Sequence, residues 1–105
     1  MDLLDQRKQL DASLQQIAGA HSGHVYYQPP SNVQMTYPAI RYRTIRIDPR
    51  HADNMPYLLG TQYEVIVIDK NPDSVIAGEV ASLPRCSSNR FYTADNLNHW
   101  VFTIY

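Results

Sequence analysis

The sequence is poor in most of the residues that carry chemistry. It holds one cysteine, Cys86, so no internal disulfide can form and the fold is expected to need no oxidising compartment. Its four glycines are widely spread, which leaves no glycine-rich phosphate loop. No apolar run approaches the ~20 residues of a membrane helix. The opening MDLLDQRKQL is charged and lacks the continuous apolar stretch of a signal peptide. A soluble protein made in the cytosol is the expectation. Neither charge is in excess: the formal net charge is −1 and the pI about 6.4. That argues against broad nucleic-acid affinity, which needs a basic excess, but leaves room for a local basic patch.

What is present fits one compact domain spanning residues 1–105. A domain of this size buries roughly 65% of its unfolded surface and can fold alone. Tyrosine is abundant, with 8 residues against 2 Phe and 1 Trp. It favours strands and is also enriched at protein interfaces.

Residues 2–18 read as an amphipathic helix, with Leu3, Leu10, Leu14 and Ile17 on one face, Asp2 as N-cap and Gly19 as stop. A short strand over His24–Gln28 precedes the proline-rich QPPSNVQMTYP, an exposed connection. Ala39–Ile47 is a strand with Ile40, Tyr42 and Thr44 on one face and Arg41 and Arg43 on the other. Its phase changes at Thr44–Ile45, which calls for a bulge or for burial of both faces. Residues 48–60, DPRHADNMPYLLG, are polar and carry Pro49, Pro56 and Gly60, which predicts a loop of a length that is usually functional or disordered. Gln62–Asp69 is the strongest strand, apolar on both faces and therefore central. Pro72–Leu83 reads as a second helix capped by Asn71 or Asp73, with Val75, Ile76, Val80 and Leu83 on its apolar side and Pro84 ending it. The runs 88–92 and 97–105 pair as a hairpin around Ala94-Asp95-Asn96. The order α-β-β-β-α-β-β predicts an α+β fold: a mainly antiparallel sheet with two helices on one side.

Candidate chemistry is sparse. His21 and His24 lie three apart but lack further ligands nearby. Asp69-Lys-Asn71-Pro-Asp73 imitates the start of a calcium loop, yet Ser74 and Val80 stand where glycine and glutamate are needed. Cys86 would need a base such as His99, and Ser87 and Ser88 lack a nucleophile-elbow pattern. No catalytic residue, cofactor or metal is therefore expected, and the protein reads as a non-enzyme. Arg41, Arg43, Arg46 and Arg50 form the densest basic segment. Such a strand contacts a nucleic-acid backbone, or is a solvated face, or pairs its arginines with acids of a neighbouring subunit.

Taken in order, four features resemble the small tail-completion proteins of long-tailed bacteriophages and prophages, of the tail terminator and head–tail joining kind. They are the N-terminal amphipathic helix, the YPAIRY start of a strand at 37–42, YEVIVIDKNPDS at 63–74, and the RFYTADNLNHWVFTIY hairpin at 90–105. Together they cover nearly the whole chain. The resemblance implies a non-enzymatic virion structural protein made in the bacterial host cytoplasm. It implies a homo-oligomeric ring, six-fold in proteins of this kind, at the head-proximal end of the tail. Such a ring ends tail tube assembly and joins the tail to head connector or neck proteins, and genomic DNA passes through it without sequence-specific binding. Head-completion (neck) or minor tail protein is the alternative, and a small nucleic-acid-binding module using Arg41, Arg43 and Arg46 is a further one. No membrane partner is implied. A ring needs two different complementary patches per subunit, and edge strands and long loops supply them most readily. The interface is accordingly expected at Arg41, Arg43, Arg46, Arg50, His51, Asp53, Asn54, Met55 and Tyr57, with the 29–36 loop.

Overall fold

A computed structural model of the chain describes residues 3–52 and 55–105, with side chains described for 4–47 and 61–105. The elements are α1 (Leu3–Gly19), β1 (His24–Tyr27), β2 (Ala39–Ala52), β3 (Met55–Asp69), α2 (Val75–Ala81), β4 (Cys86–Ala94) and β5 (Leu97–Ile104). One five-stranded sheet has the order β1-β2-β3-β5-β4, with β1 parallel to β2 and every other pair antiparallel. This is the expected α+β fold with the expected element order.

Period-2 patterning divides the sheet into two faces. On the first, Ile40 and Tyr42 of β2, Tyr63, Val65 and Val67 of β3, and Phe102 and Ile104 of β5 pack against Leu14 and Ala18 of α1 and Ile76, Ala77 and Val80 of α2. Both helices therefore lie on this face. Leu10 and Ile17 flank the contact as expected, and Ala18, one turn beyond Leu14, completes it. Each fully buried Leu, Ile or Val contributes roughly 1.5–3 kcal/mol of transfer free energy. On the second face Ile66, Ile68 and Val101 form a smaller cluster, covered by Met35 and Tyr37 of the 28–38 connection and by Tyr92 and Leu97. β3 is central and apolar on both faces, as its sequence requires.

After α1 the chain turns sharply. Ser22 adopts φ 58° and the Gly23 N–H donates to the Ala18 carbonyl at 2.7 Å. A Cβ on Gly23 would stand 3.2 Å from both that oxygen and Ile76 Cδ1, so glycine lets the turn lie against α2. The parity change in β2 is a bulge between Thr44 and Arg46. The β4–β5 turn places Asp95 and Asn96 at φ 54° and 62°, the left-handed pair of a type I′ hairpin.

Three expectations change. α2 spans Val75–Ala81, and its N-cap is Ser74, whose Oγ accepts the Ala77 N–H at 3.3 Å. Asn71 and Asp73 do not cap it. The Asp69 side chain accepts the Asn71 N–H and the Asn71 side chain accepts the Asp73 N–H, building two successive turns that lead into the helix. Val75, placed on the apolar side from sequence, is 57% exposed; Ala77 takes its place in the core. The third change concerns residues 48–60. Residues 48–52 and 55–60 of this span are strand and not loop: Asp48 pairs with Gly60 and the ladder continues to Ala52 opposite Met55, while residues 53 and 54 lie outside the described residues. Pro49 and Pro56 are tolerated because a two-stranded ribbon leaves half of its N–H groups without a sheet partner, so a residue lacking one costs little there.

Candidate interaction surfaces

The lengthening of β2 and β3 creates an arm. β1 accompanies β2 only as far as Tyr27 opposite Tyr42, and β5 accompanies β3 only as far as Ile104 opposite Tyr63. Beyond those points β2 and β3 pair only with each other. At ~3.4 Å per residue the ribbon from Ile45 to Ala52 reaches roughly 25 Å past the sheet. Both of its outer edges present backbone donors and acceptors with no strand beside them among the described residues.

The expected interface residues fall on two parts of this architecture. Arg50, His51, Met55 and Tyr57 lie on the arm strands, while Asp53 and Asn54 lie outside the described residues. Arg41, Arg43 and Arg46 lie on β2 where it crosses the sheet and leaves it. Arg43 Nε donates to Glu64 at 3.0 Å.

At the base of the arm, on the helix face, a groove of about 310 Å³ is lined by Leu4 and Arg7 of α1, Tyr27, Thr44, Ile47 and Tyr63. Leu4 and Ile47 are about half exposed there. The bulge delivers Ile47 to this side. The groove floor is held by a polar network. The Tyr42 hydroxyl donates to the Asp11 carboxylate, and Arg7 Nη1 lies 3.5 Å from the same hydroxyl. The Arg7 guanidinium stands 4.5 Å from the Tyr27 ring centroid, and the Tyr27 and Tyr42 ring centroids are 4.8 Å apart. Burial pushes the Tyr42 hydroxyl well above the usual tyrosine range, and its bond to the Asp11 carboxylate adds to the rise. This network ties α1 to β2 at the root of the arm.

The second sheet face differs in charge. Cross-strand partners share a face, so Arg41 joins Ile66, Val101 and Arg90 in one row across β2, β3, β5 and β4. Arg43 and Arg46 point to the same side through their partners Glu64 and Gln62. All four arginines are exposed, and among the described side chains of these strands Glu64 is the one carboxylate on this face. Neither helix packs here. Arg90 also lies 5.2 Å from the Tyr92 ring centroid, and Tyr92 stacks on His99 with ring centroids 4.6 Å apart. Sequence reading missed Arg90 because a second bulge, between Ser88 and Arg90, reverses its parity.

The residues weighed for chemistry are not brought together. Cys86 packs against the helix-side core, and burial pushes its thiol up, away from the reactive thiolate. His99 faces the other side, paired with Tyr92. His21 Nε2 lies 3.2 Å from Glu79 Oε1, and His24 is exposed on β1. Among the described residues no three His, Cys, Asp or Glu side chains cluster as a metal site. No described helix is long and apolar enough to cross a membrane. Comparison with protein-family models and with curated proteins gives no match.

Proposed function

We propose that the chain is a non-enzymatic virion structural subunit of the tail-completion kind, assembling as a ring at the head-proximal end of a phage tail. There it ends tube assembly and meets the head connector. The observation that carries this reading is the β2–β3 arm. A ring is a heterologous assembly, in which one patch of each subunit meets a different patch of the next. The arm supplies one patch, with unpaired edges at its root and along its length. The groove beneath Leu4 and Ile47 and the outer edge of β4 are different surfaces at which a neighbour's arm can end. The resemblance noted in the sequence supplies the biological setting, and the neck or minor tail alternative shares the same architecture with a different partner.

The test is assembly with purified tail tube protein, followed by light scattering and electron microscopy. Rings in solution or on tube ends, with tubes of capped length, are the expected result. A variant in which an Asn-Gly turn replaces residues 48–60, joining the paired Ile47 and Thr61, should still fold yet fail to cap. A strict monomer that leaves tube length uncontrolled overturns the reading, and binding to portal or adaptor protein in place of tube protein moves it to the neck.

A further inference from the structure

We infer that the helix-free face of the sheet is a docking surface for the backbone of duplex DNA, with Arg41, Arg43, Arg46 and Arg90 as its phosphate-contacting groups. The inference rests on the ring reading only for placing this face toward a channel; the contact itself follows from charge and topology. Among the described side chains, a chain of net charge −1 sets four arginines against one carboxylate on a single face, which leaves the remainder of the molecule acidic. Arginine is the side chain suited to phosphate, because its planar fork donates in parallel and never loses its charge.

The geometry favours a duplex. Arg41 and Arg90 lie in the same cross-strand row three strand spacings apart, roughly 14 Å, which is close to the ~12 Å width of a major groove. Arg43 and Arg46 extend the positive surface along β2 toward the arm. Single-stranded nucleic acid would call for open aromatic platforms. Here the Tyr92 ring is already stacked on His99 and lies beside Arg90, so it supports that guanidinium in place of a base. Between the two arginines Ile66 and Val101 are buried beneath Met35 and Tyr37 of the 28–38 connection, so the charged contacts lie on either side of this cover. Beside Arg41 a cleft of about 410 Å³, bordered by Gln28, Ser31 and Arg43, adds an amide and a hydroxyl that can donate to the same phosphates. Such contacts position the backbone without reading bases, which suits DNA that must slide.

The experiment titrates the full chain into a fluorescein-labelled duplex of about 30 base pairs and reads anisotropy at about 50 and 200 mM salt, with light scattering on the same samples. Binding that weakens steeply with salt is expected. The Arg41→Ala/Arg90→Ala variant should bind about tenfold more weakly or worse and lower the salt slope by about 2. A Lys8→Ala/Lys70→Ala variant removes the same charge from α1 and the β3–α2 turn and should change affinity by less than about threefold. All four positions are exposed, and a cooperative melt by circular dichroism confirms that each variant is folded. No binding at low salt, or equal loss in both variants, overturns the inference. Rings that ignore DNA sink this face and leave the ring reading standing. A monomer that binds DNA through Arg41 and Arg90 does the reverse.

Discussion

The side-chain carbonyl of Gln28 accepts the main-chain N–H of Thr44 at 3.2 Å, while the main-chain N–H of Gln28 donates to the Tyr42 carbonyl at 2.9 Å. β1 has ended one residue earlier, and Gln28 has turned to φ 43°. Its side chain therefore stands in for the next strand residue and carries the ladder to the point where the arm begins. Tyr27 reinforces the same point, with its hydroxyl 3.1 Å from Thr44 Oγ1.

Gln28→Ala should expose this edge. Loss of one such bond costs about 1 kcal/mol. The amide of Thr44 should exchange with solvent faster in hydrogen-exchange measurements, while the Val65 and Val67 amides of central β3 keep their protection. Unchanged protection at Thr44 would mean that the Gln28 side chain is dispensable.

The Tyr42 network predicts an alkaline limit. The hydroxyl ionises at higher pH in the fold than its ordinary value of 10.0, chiefly through burial. Between those two points the unfolded chain has lost the proton that the folded one keeps. The contribution to stability is thus complete below about pH 10 and declines as pH rises further. Tyr63 and Cys86 are also shifted upward by burial and act in the same direction. Tyr42→Phe should lower stability at neutral pH by about 1 kcal/mol and flatten, without abolishing, the fall in Tm on the alkaline side. An equally steep alkaline limb in the Tyr42→Phe variant would assign that limb to other groups.

Ser74→Ala should cost about 1 kcal/mol, read from urea unfolding, because it removes the side-chain acceptor of the Ala77 N–H in a helix of only seven residues. Asn71→Ala should cost less, since its side chain serves a solvent-exposed turn. If the order is reversed, the two turns before α2 matter more than its cap.

These cap residues show where the sequence was legible. The sequence pointed to Asn71 and Asp73 as caps and not to Ser74, because local chemistry alone does not rank neighbouring Asn, Asp and Ser residues. β3 was readable because Tyr63, Val65 and Val67 make one face apolar throughout, and Ile66 and Ile68 make the other apolar after Gln62 and Glu64. The bulge after Thr44 was readable because Ile45 and Ile47 occupy a parity that arginine had held. The arm was not readable: Pro49 and Pro56 are strand breakers in any sheet interior and become neutral only when no third strand is present. The parallel pairing of β1 was equally hidden, because its partner is chosen by the 28–38 connection and not by its own four residues. Arg90 joins the basic face through a bulge among exposed polar residues, where no apolar phase marks the shift. Of the surfaces discussed, the arginines of β2 were visible from sequence; the arm and the full basic face required pairing between distant segments.

Deleting residues 100–105 should abolish the fold. β5 lies between β3 and β4, so its loss removes a central strand and leaves β4 at the sheet edge without a partner. The segment buries Val101, Phe102 and Ile104, at 1%, 3% and 7% exposure, and thereby takes part in the clusters on both faces. At roughly 1.5–3 kcal/mol per buried side chain, these three residues alone approach the ~5–15 kcal/mol that stabilises a domain, before any ladder hydrogen bonds are counted. Circular dichroism should show no cooperative melt in the truncated chain. Single Val101→Ala and Phe102→Ala variants separate the faces. Loss of helical signal should accompany Phe102→Ala first, because it faces α1 and α2, whereas Val101→Ala should loosen the second-face cluster beneath Met35 and Tyr37, where the basic row is anchored. A truncated chain that melts cooperatively would show that the helices and β1–β3 form a stable unit without β5.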